Sequence, residues 1–176
     1  LGDLTITYLE VIACTMRTLG ADPDALLGQY NILPETLASP DTRISIPRFM
    51  RIGHDAIQQT RAPWFGLEMG RNTWPAQLGL AGLVAMTAPD LRRACQAIAG
   101  FELLSSFNAR GASSFSLEEG KPALKFYSVS PYNAYNLFVV DSVLSSWAHI
   151  LSSISGQKEG ILEAVDIEFS DPGYAD

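Results

Sequence analysis

SSFSLEEGKPALKFYSVSPYNAYNLFVVDSVLSSWAHILSSISG, residues 113–156, decides the fold class. Its opening alternates: Phe115 and Leu117 share one face of Ser113–Glu118, and Leu124, Phe126 and Ser128 alternate against Lys125, Tyr127 and Val129. Period-two patterning on both sides of Glu119-Gly120 predicts a β-hairpin, closed by Ser130-Pro131. The period then changes. Leu137, Val140, Leu144, Trp147, Leu151 and Ile154 recur at spacings of three and four, widened by Val139, Val143 and Ile150. This predicts one long helix from about Tyr132 to Ser155, stopped by Gly156, with Asp141, Ser145, His149 and Ser152 on the opposite side. After it, Leu162–Phe169 reads as a strand with Val165, Ile167 and Phe169 on one face, and Ser170-Asp171-Pro172-Gly173 as a turn.

Upstream the signals are helical. Leu9, Ile12, Ala13, Met16 and Leu19 mark a helix over Thr7–Leu19 that Gly20 stops, and Asp22-Pro23 caps a short helix ending near Asn31. Leu33-Pro34-Glu35 starts a turn broken by Ser39-Pro40-Asp41. Pro47 opens a helix to about Thr60, whose inner stripe is Phe49, Ile52, Gly53, Ala56 and Ile57. Trp64–Met69 is a shorter apolar segment before Gly70, and Arg71–Gly79 reads as a loop in which Pro75 holds Trp74 extended. Leu80–Met86 resumes a helix. Thr87 and Asp90 form a capping-box pattern for the next, whose inward residues are Leu91, Ala94, Cys95, Ile98 and Phe101. The sum is an α+β domain: a helical part over 1–75, then a helix-and-sheet part over 76–176.

Composition bounds the function. The 176 residues are 47% hydrophobic and 18% charged, enough for a real core. A net charge of −7 argues against this chain gripping nucleic acid or an anionic membrane by itself, since both rest on Lys and Arg. The most apolar stretch, Leu78–Met86, is too short to span a bilayer. Cys14 and Cys95 both fall on apolar helix sides and read as reduced core thiols; a disulfide would need their Cα atoms within about 7 Å. Sparse cysteine and the absence of a signal peptide suit the cytoplasm. A start at Leu1 and a stop inside a turn read as an excerpt of a longer chain.

The stretch from Gly79 to Tyr174 resembles the N-terminal arabinose-binding-like domain of AraC/XylS-type transcription regulators. The resemblance lies in Gly79-Leu80-Ala81-Gly82, in Thr87-Ala88-Pro89-Asp90-Leu91-Arg92-Arg93-Ala94, in the 113–129 hairpin, in the long helix ending at Gly156 and in Phe169-Ser170-Asp171-Pro172-Gly173-Tyr174. Upstream, Gly20-Ala21-Asp22-Pro23, Leu26-Leu27, Ile46-Pro47 and Phe65-Gly66-Leu67 also fit that family's opening helices. The cap departs from the family, reading Ala-Pro-Asp where Ser-Pro-Thr is commoner. The resemblance implies a domain that binds a small-molecule effector, forms homodimers and controls DNA binding by a C-terminal pair of helix-turn-helix units absent from this sequence.

No nucleophile elbow, dinucleotide fingerprint or Walker loop occurs, so no catalytic residue and no cofactor are assigned. His54 and His149 lack metal-ligand spacing, and Asp55 points away from the face of His54. Candidate effector-binding residues are Trp74, Tyr127, Arg71, Glu68, Trp64, Phe101, Tyr132 and Tyr135, near the helix-to-sheet junction; each aromatic alone also fits a core position, and Glu68 with Arg71 also fits a solvated helix end. The stripe through Leu144, Trp147, Leu151 and Ile154 fits either packing on the sheet or a two-helix seam between protomers. An amino acid or related small acid is the expected effector, with a fatty-acid-like molecule second. A ligand-free oligomerisation module and a small hydrolase or isomerase are the alternatives.

Overall fold

The computed structural model describes residues 2–39, 41–101, 106–107, 111–128, 130–157 and 161–174. Pro40 and Val129 of the readings above lie outside them. Among the described residues the chain has eight helices and two small antiparallel sheets, an α+β architecture. In order these are β1 (Asp3–Thr5), α1 (Thr7–Thr18), α2 (Pro23–Gln29), α3 (Pro34–Leu37), β2 (Arg43–Ser45), α4 (Ile46–Thr60), α5 (Phe65–Arg71), a 3₁₀ turn (Pro75–Leu78), α6 (Leu80–Met86), α7 (Leu91–Gly100), β3 (Ser106–Phe107), β4 (Gly111–Glu118), β5 (Lys121–Ser128) and α8 (Leu137–Ser155).

The three shortest strands form one sheet in the order β2-β1-β3, and β4 pairs with β5. The hairpin has the turn its sequence demands. Glu119 (φ 52°) and Gly120 (φ 85°) both take positive φ, the backbone of a primed two-residue turn, and Phe115 faces Leu124 across the ladder. Asp22 accepts a hydrogen bond from the Asp24 N–H and caps α2, with Pro23 in the first turn.

Two hydrophobic clusters divide the interior. The first joins β1, α1, α2, α4 and α5, including Leu9, Ile12, Met16, Phe49, Ile52 and Phe65; the second joins α6, α7 and the hairpin, including Ala85, Ala94, Ile98 and Phe126. α8 belongs to both: Phe138 and Val139 enter the first, and Val143, Trp147, Ile150 and Leu151 the second. Phe138 packs 5.8 Å from Phe49, centroid to centroid, and covers Gly53, where a Cβ would meet its ring. Trp147 meets Phe126 edge-on at 6.5 Å. This double duty explains why α8, rather than Leu78–Met86, is the most extended apolar segment. By length and composition alone it could cross a membrane, yet more than half of that window is buried within the chain.

α8 starts at Leu137, not Tyr132, because side-chain amides hold the preceding turn: Asn136 Oδ1 accepts from the Asn133 N–H, Asn136 Nδ2 donates to the Pro131 carbonyl, and Asn133 Oδ1 accepts from the Tyr135 N–H. The side of α8 opposite the apolar stripe is itself covered: Asp141 is buried, and Ser145, His149 and Ser152 are half-buried. Residues 162–169 are not a strand; no described neighbour supplies a ladder, and Leu162, Val165 and Ile167 lie exposed. Cys14 is exposed, since it shares with Glu10 and Arg17 the one strip of α1 left uncovered, whereas Cys95 is buried and its thiol is pushed up by that burial. α7 starts at Leu91, so Asp90 alone caps it, accepting from the Arg93 N–H at 2.8 Å; Thr87 closes α6 and its hydroxyl donates back to the Leu83 and Val84 carbonyls. Phe101 follows the last turn of α7 and is exposed instead of inward.

Candidate functional site

Two glycines bring a pair of helices into close approach. Gly66 and Gly70 of α5, one turn apart, lie against α8. A Cβ on Gly66 would stand 2.7 Å from the Asp141 Cβ and nearer still to the Phe138 carbonyl oxygen; one on Gly70 would stand 2.5 Å from the Ser145 Oγ. Both contacts climb the helices together, so α5 and α8 run in the same direction. The polar stripe of α8 lines this seam. Ser145 Oγ donates to the Leu67 carbonyl at 2.8 Å, a cross-helix bond that only such a close approach permits.

Each end of the seam is covered by an aromatic residue. At one end the Tyr174 hydroxyl donates to Asp141 Oδ2 at 2.6 Å. Burial pushes the Asp141 carboxyl above its ordinary value, and the hydrogen bond from Tyr174 opposes that shift. Burial and the same bond raise the Tyr174 phenol. At the other end the Trp74 ring meets His149 edge-on, 5.4 Å between centroids, and His149 Nε2 is buried with no hydrogen-bond partner. An unpaired buried ring nitrogen is a standing cost that a bound polar group would relieve.

Glu68, Arg71 and Trp74 come together around the C-terminal end of α5: Arg71 Nη1 donates to Glu68 Oε1 at 2.7 Å, and Trp74 is extended before Pro75 with its N–H on Gln77 Oε1. Trp64 sits at the opposite end of α5, 41% exposed. Tyr135 packs on His54 of α4, whose Nδ1 lies 3.1 Å from the Ala134 carbonyl. Tyr132 meets Phe169 edge-on at 5.3 Å. Tyr127 points outward from β5, opposite Leu124 and Phe126, as its alternation predicts. Phe101 lines a groove of about 350 Å³ between α6 and α7, with Val84, Ala88, Pro89, Arg93 and Ala97. Trp147 and Leu151 pack into their own chain's core, while Leu144 and Ile154 are half-buried.

The sequence reading missed Asp141, Ser145 and Tyr174 as interacting residues and missed Tyr30, whose hydroxyl donates to Asp55 Oδ2 at 2.6 Å and whose phenol is thereby pushed up to about 12. One signal was present: Gly66-x-x-x-Gly70 in a short helix, matched by the polar four-residue repeat Asp141, Ser145, His149. Among the described residues no three His, Cys, Asp or Glu side chains converge as a metal site would need.

Comparison with known proteins supplies the family. The model of the arabinose-binding domain of AraC transcription regulators, N-terminal, matches residues 20–176. The chain belongs to that family. It is also similar to the ornithine utilization regulator of Pseudomonas aeruginosa, 22% identical over 170 residues, covering 95% of this chain and 48% of the relative. The chain therefore spans about half the length of the curated relative it matches. As an AraC-type arabinose-binding domain it is a ligand-sensing regulatory domain, and the seam, the groove and the exposed Trp74 are features of that domain.

Proposed function

We propose that residues 1–176 form the effector-binding and dimerising half of a cytoplasmic, bacterial AraC-type regulator, and that a further half of the longer protein reads DNA through helix-turn-helix units. The family match over residues 20–176 carries this reading. The domain is not itself an enzyme on this view: it recognises a metabolite and changes the DNA affinity of the rest of the protein. Only an effector with different affinities for two arrangements of the domain can do that.

The effector is an amino acid or related small acid. The similarity to an ornithine utilization regulator supports this class. The groove between α6 and α7 supports a second reading, a fatty-acid-like molecule, because Val84, Ala88, Pro89, Ala97 and Phe101 offer apolar lining beside the Arg93 cation. Self-association uses the half-buried part of the α8 stripe, Leu144 and Ile154, since Trp147 and Leu151 are committed inside the chain.

Thermal-shift measurements with ornithine, other amino acids and short fatty acids test the reading. A ligand at about 100 times its Kd stabilises by ~2.7 kcal/mol. For a domain of this size that is a rise of roughly 5–10 °C. Arg93→Ala separates the two classes, abolishing the response to a groove-bound fatty acid while sparing an amino acid bound at Glu68, Arg71 and Trp74. No shift with any of these probes overturns the effector assignment, and a monomeric mass in solution overturns the dimer.

A further inference from the structure

We propose that residues 161–174 form a strap pinned across the hairpin and α8, and that the Tyr174–Asp141 hydrogen bond is a latch by which the α5/α8 seam governs where the chain leaves the domain. Among the described residues the strap starts at Ile161, half-buried against the second cluster, and beyond it is tied at three points. Lys121 Nζ at the start of β5 pairs with Glu163 Oε2 at 2.5 Å, the Tyr132 ring meets Phe169, and the Tyr174 hydroxyl reaches Asp141. Among the described residues no backbone–backbone hydrogen bond holds it between these ties, and Leu162, Val165, Asp166, Ile167 and Glu168 are exposed. The strap is thus held by side chains alone and can leave as one piece.

The three ties differ in strength. Lys121 and Glu163 are both more than 70% exposed, so their pair is solvent-screened and weak. Tyr174 is the firm one, since its acceptor is buried. That acceptor sits inside the seam: a side chain on Gly66 would strike the Asp141 Cβ as well as the Phe138 carbonyl oxygen. Any change in the spacing of α5 and α8 therefore moves the latch. A packed seam without slack has discrete arrangements, which suits a switch. The regulatory consequence rests on the function proposed above, but the strap and its latch do not.

Paired nitroxide labels test this without effector or DNA, so the outcome is independent of whether any metabolite binds. The labels go on Ser153→Cys of α8 and Glu168→Cys of the strap, both exposed, in the full 176-residue chain with Cys14→Ser and Cys95→Ala. Electron–electron resonance is expected to give one narrow distance distribution. Tyr174→Phe should broaden it, whereas Asp141→Asn, which keeps an acceptor oxygen, should not. Gly66→Ala, folded by circular dichroism, should broaden it as well, because the added methyl displaces Asp141. A narrow distribution in Tyr174→Phe, or a broad one in the parent or in Asp141→Asn, overturns the latch. A narrow one in folded Gly66→Ala severs seam from strap and overturns the coupling; Gly70→Ala, one turn along, supplies that arm if Gly66→Ala does not fold.

Discussion

Replacing Gly66 by alanine asks how tightly α5 and α8 are locked. The new Cβ would stand 2.7 Å from the Asp141 Cβ, with the Phe138 carbonyl oxygen closer still. Unstrained carbon–carbon contact is about 3.5–4.0 Å, so the helices must part by about 1 Å or bend. Parting them also stretches the Ser145 hydroxyl bond to the Leu67 carbonyl. Because the clash includes the Phe138 backbone, overpacking here falls in the upper part of the usual range, ~2–3 kcal/mol, against a helix-propensity gain of ~1 kcal/mol for Gly to Ala. A net loss of roughly 1–2 kcal/mol would lower the melting temperature by about 2–8 °C. Gly28→Ala is the control: it lies in α2 with nothing within 4 Å of an added Cβ, so only the propensity gain applies and the variant should be stabilised. Thermal and urea unfolding followed by circular dichroism would give both differences. If Gly66→Ala proves as stable as the parent while Gly28→Ala gains, the close α5/α8 seam is not a constraint and the reasoning from it fails.

Asp141 should make stability fall with rising pH. Burial raises its carboxyl, so the folded state holds that proton more tightly than the unfolded chain; the contribution is full below the ordinary carboxylate range and lost as pH rises through the folded value. Asp141→Asn should therefore narrow the difference in urea midpoint between mildly acidic and neutral buffer, and an unchanged difference would remove Asp141 as its source. Tyr30 should ionise near pH 12 in an ultraviolet titration, and Asp55→Asn should bring it down toward the ordinary 10; a Tyr30 that ionises normally in the parent would deny the bond to Asp55. Trp147→Ala opens a cavity under Phe126 and should cost ~3–5 kcal/mol, read from denaturant midpoints; a loss under about 1 kcal/mol would mean Trp147 is not core. Trp147→Glu would place an unpaired charge in the same core, so it should unfold the chain instead of yielding a folded monomer, as melting would reveal.

Local chemistry made much of this protein legible from its sequence. The Glu119-Gly120 turn, the Asp22-Pro23 cap, the extended Trp74 before Pro75 and the apolar stripe of α8 each follow from steric and periodic rules acting within a few residues. The α+β class followed from their order. What lay beyond it were contacts whose partners are far apart in the chain. Polarity at Asp141 and Ser145 suggests a solvent face until Gly66 and Gly70, some 75 residues earlier, bring α5 onto them. Alternation in 162–169 predicts a strand, but a strand also requires a neighbour with free backbone groups, and only the tertiary arrangement decides whether one is there. The candidate aromatics were picked for their chemistry, and packing then sent them to separate places: Tyr135 to His54, Tyr132 to Phe169, Phe101 to its groove. Short-range sterics wrote the elements, while mutual burial chose which faces met.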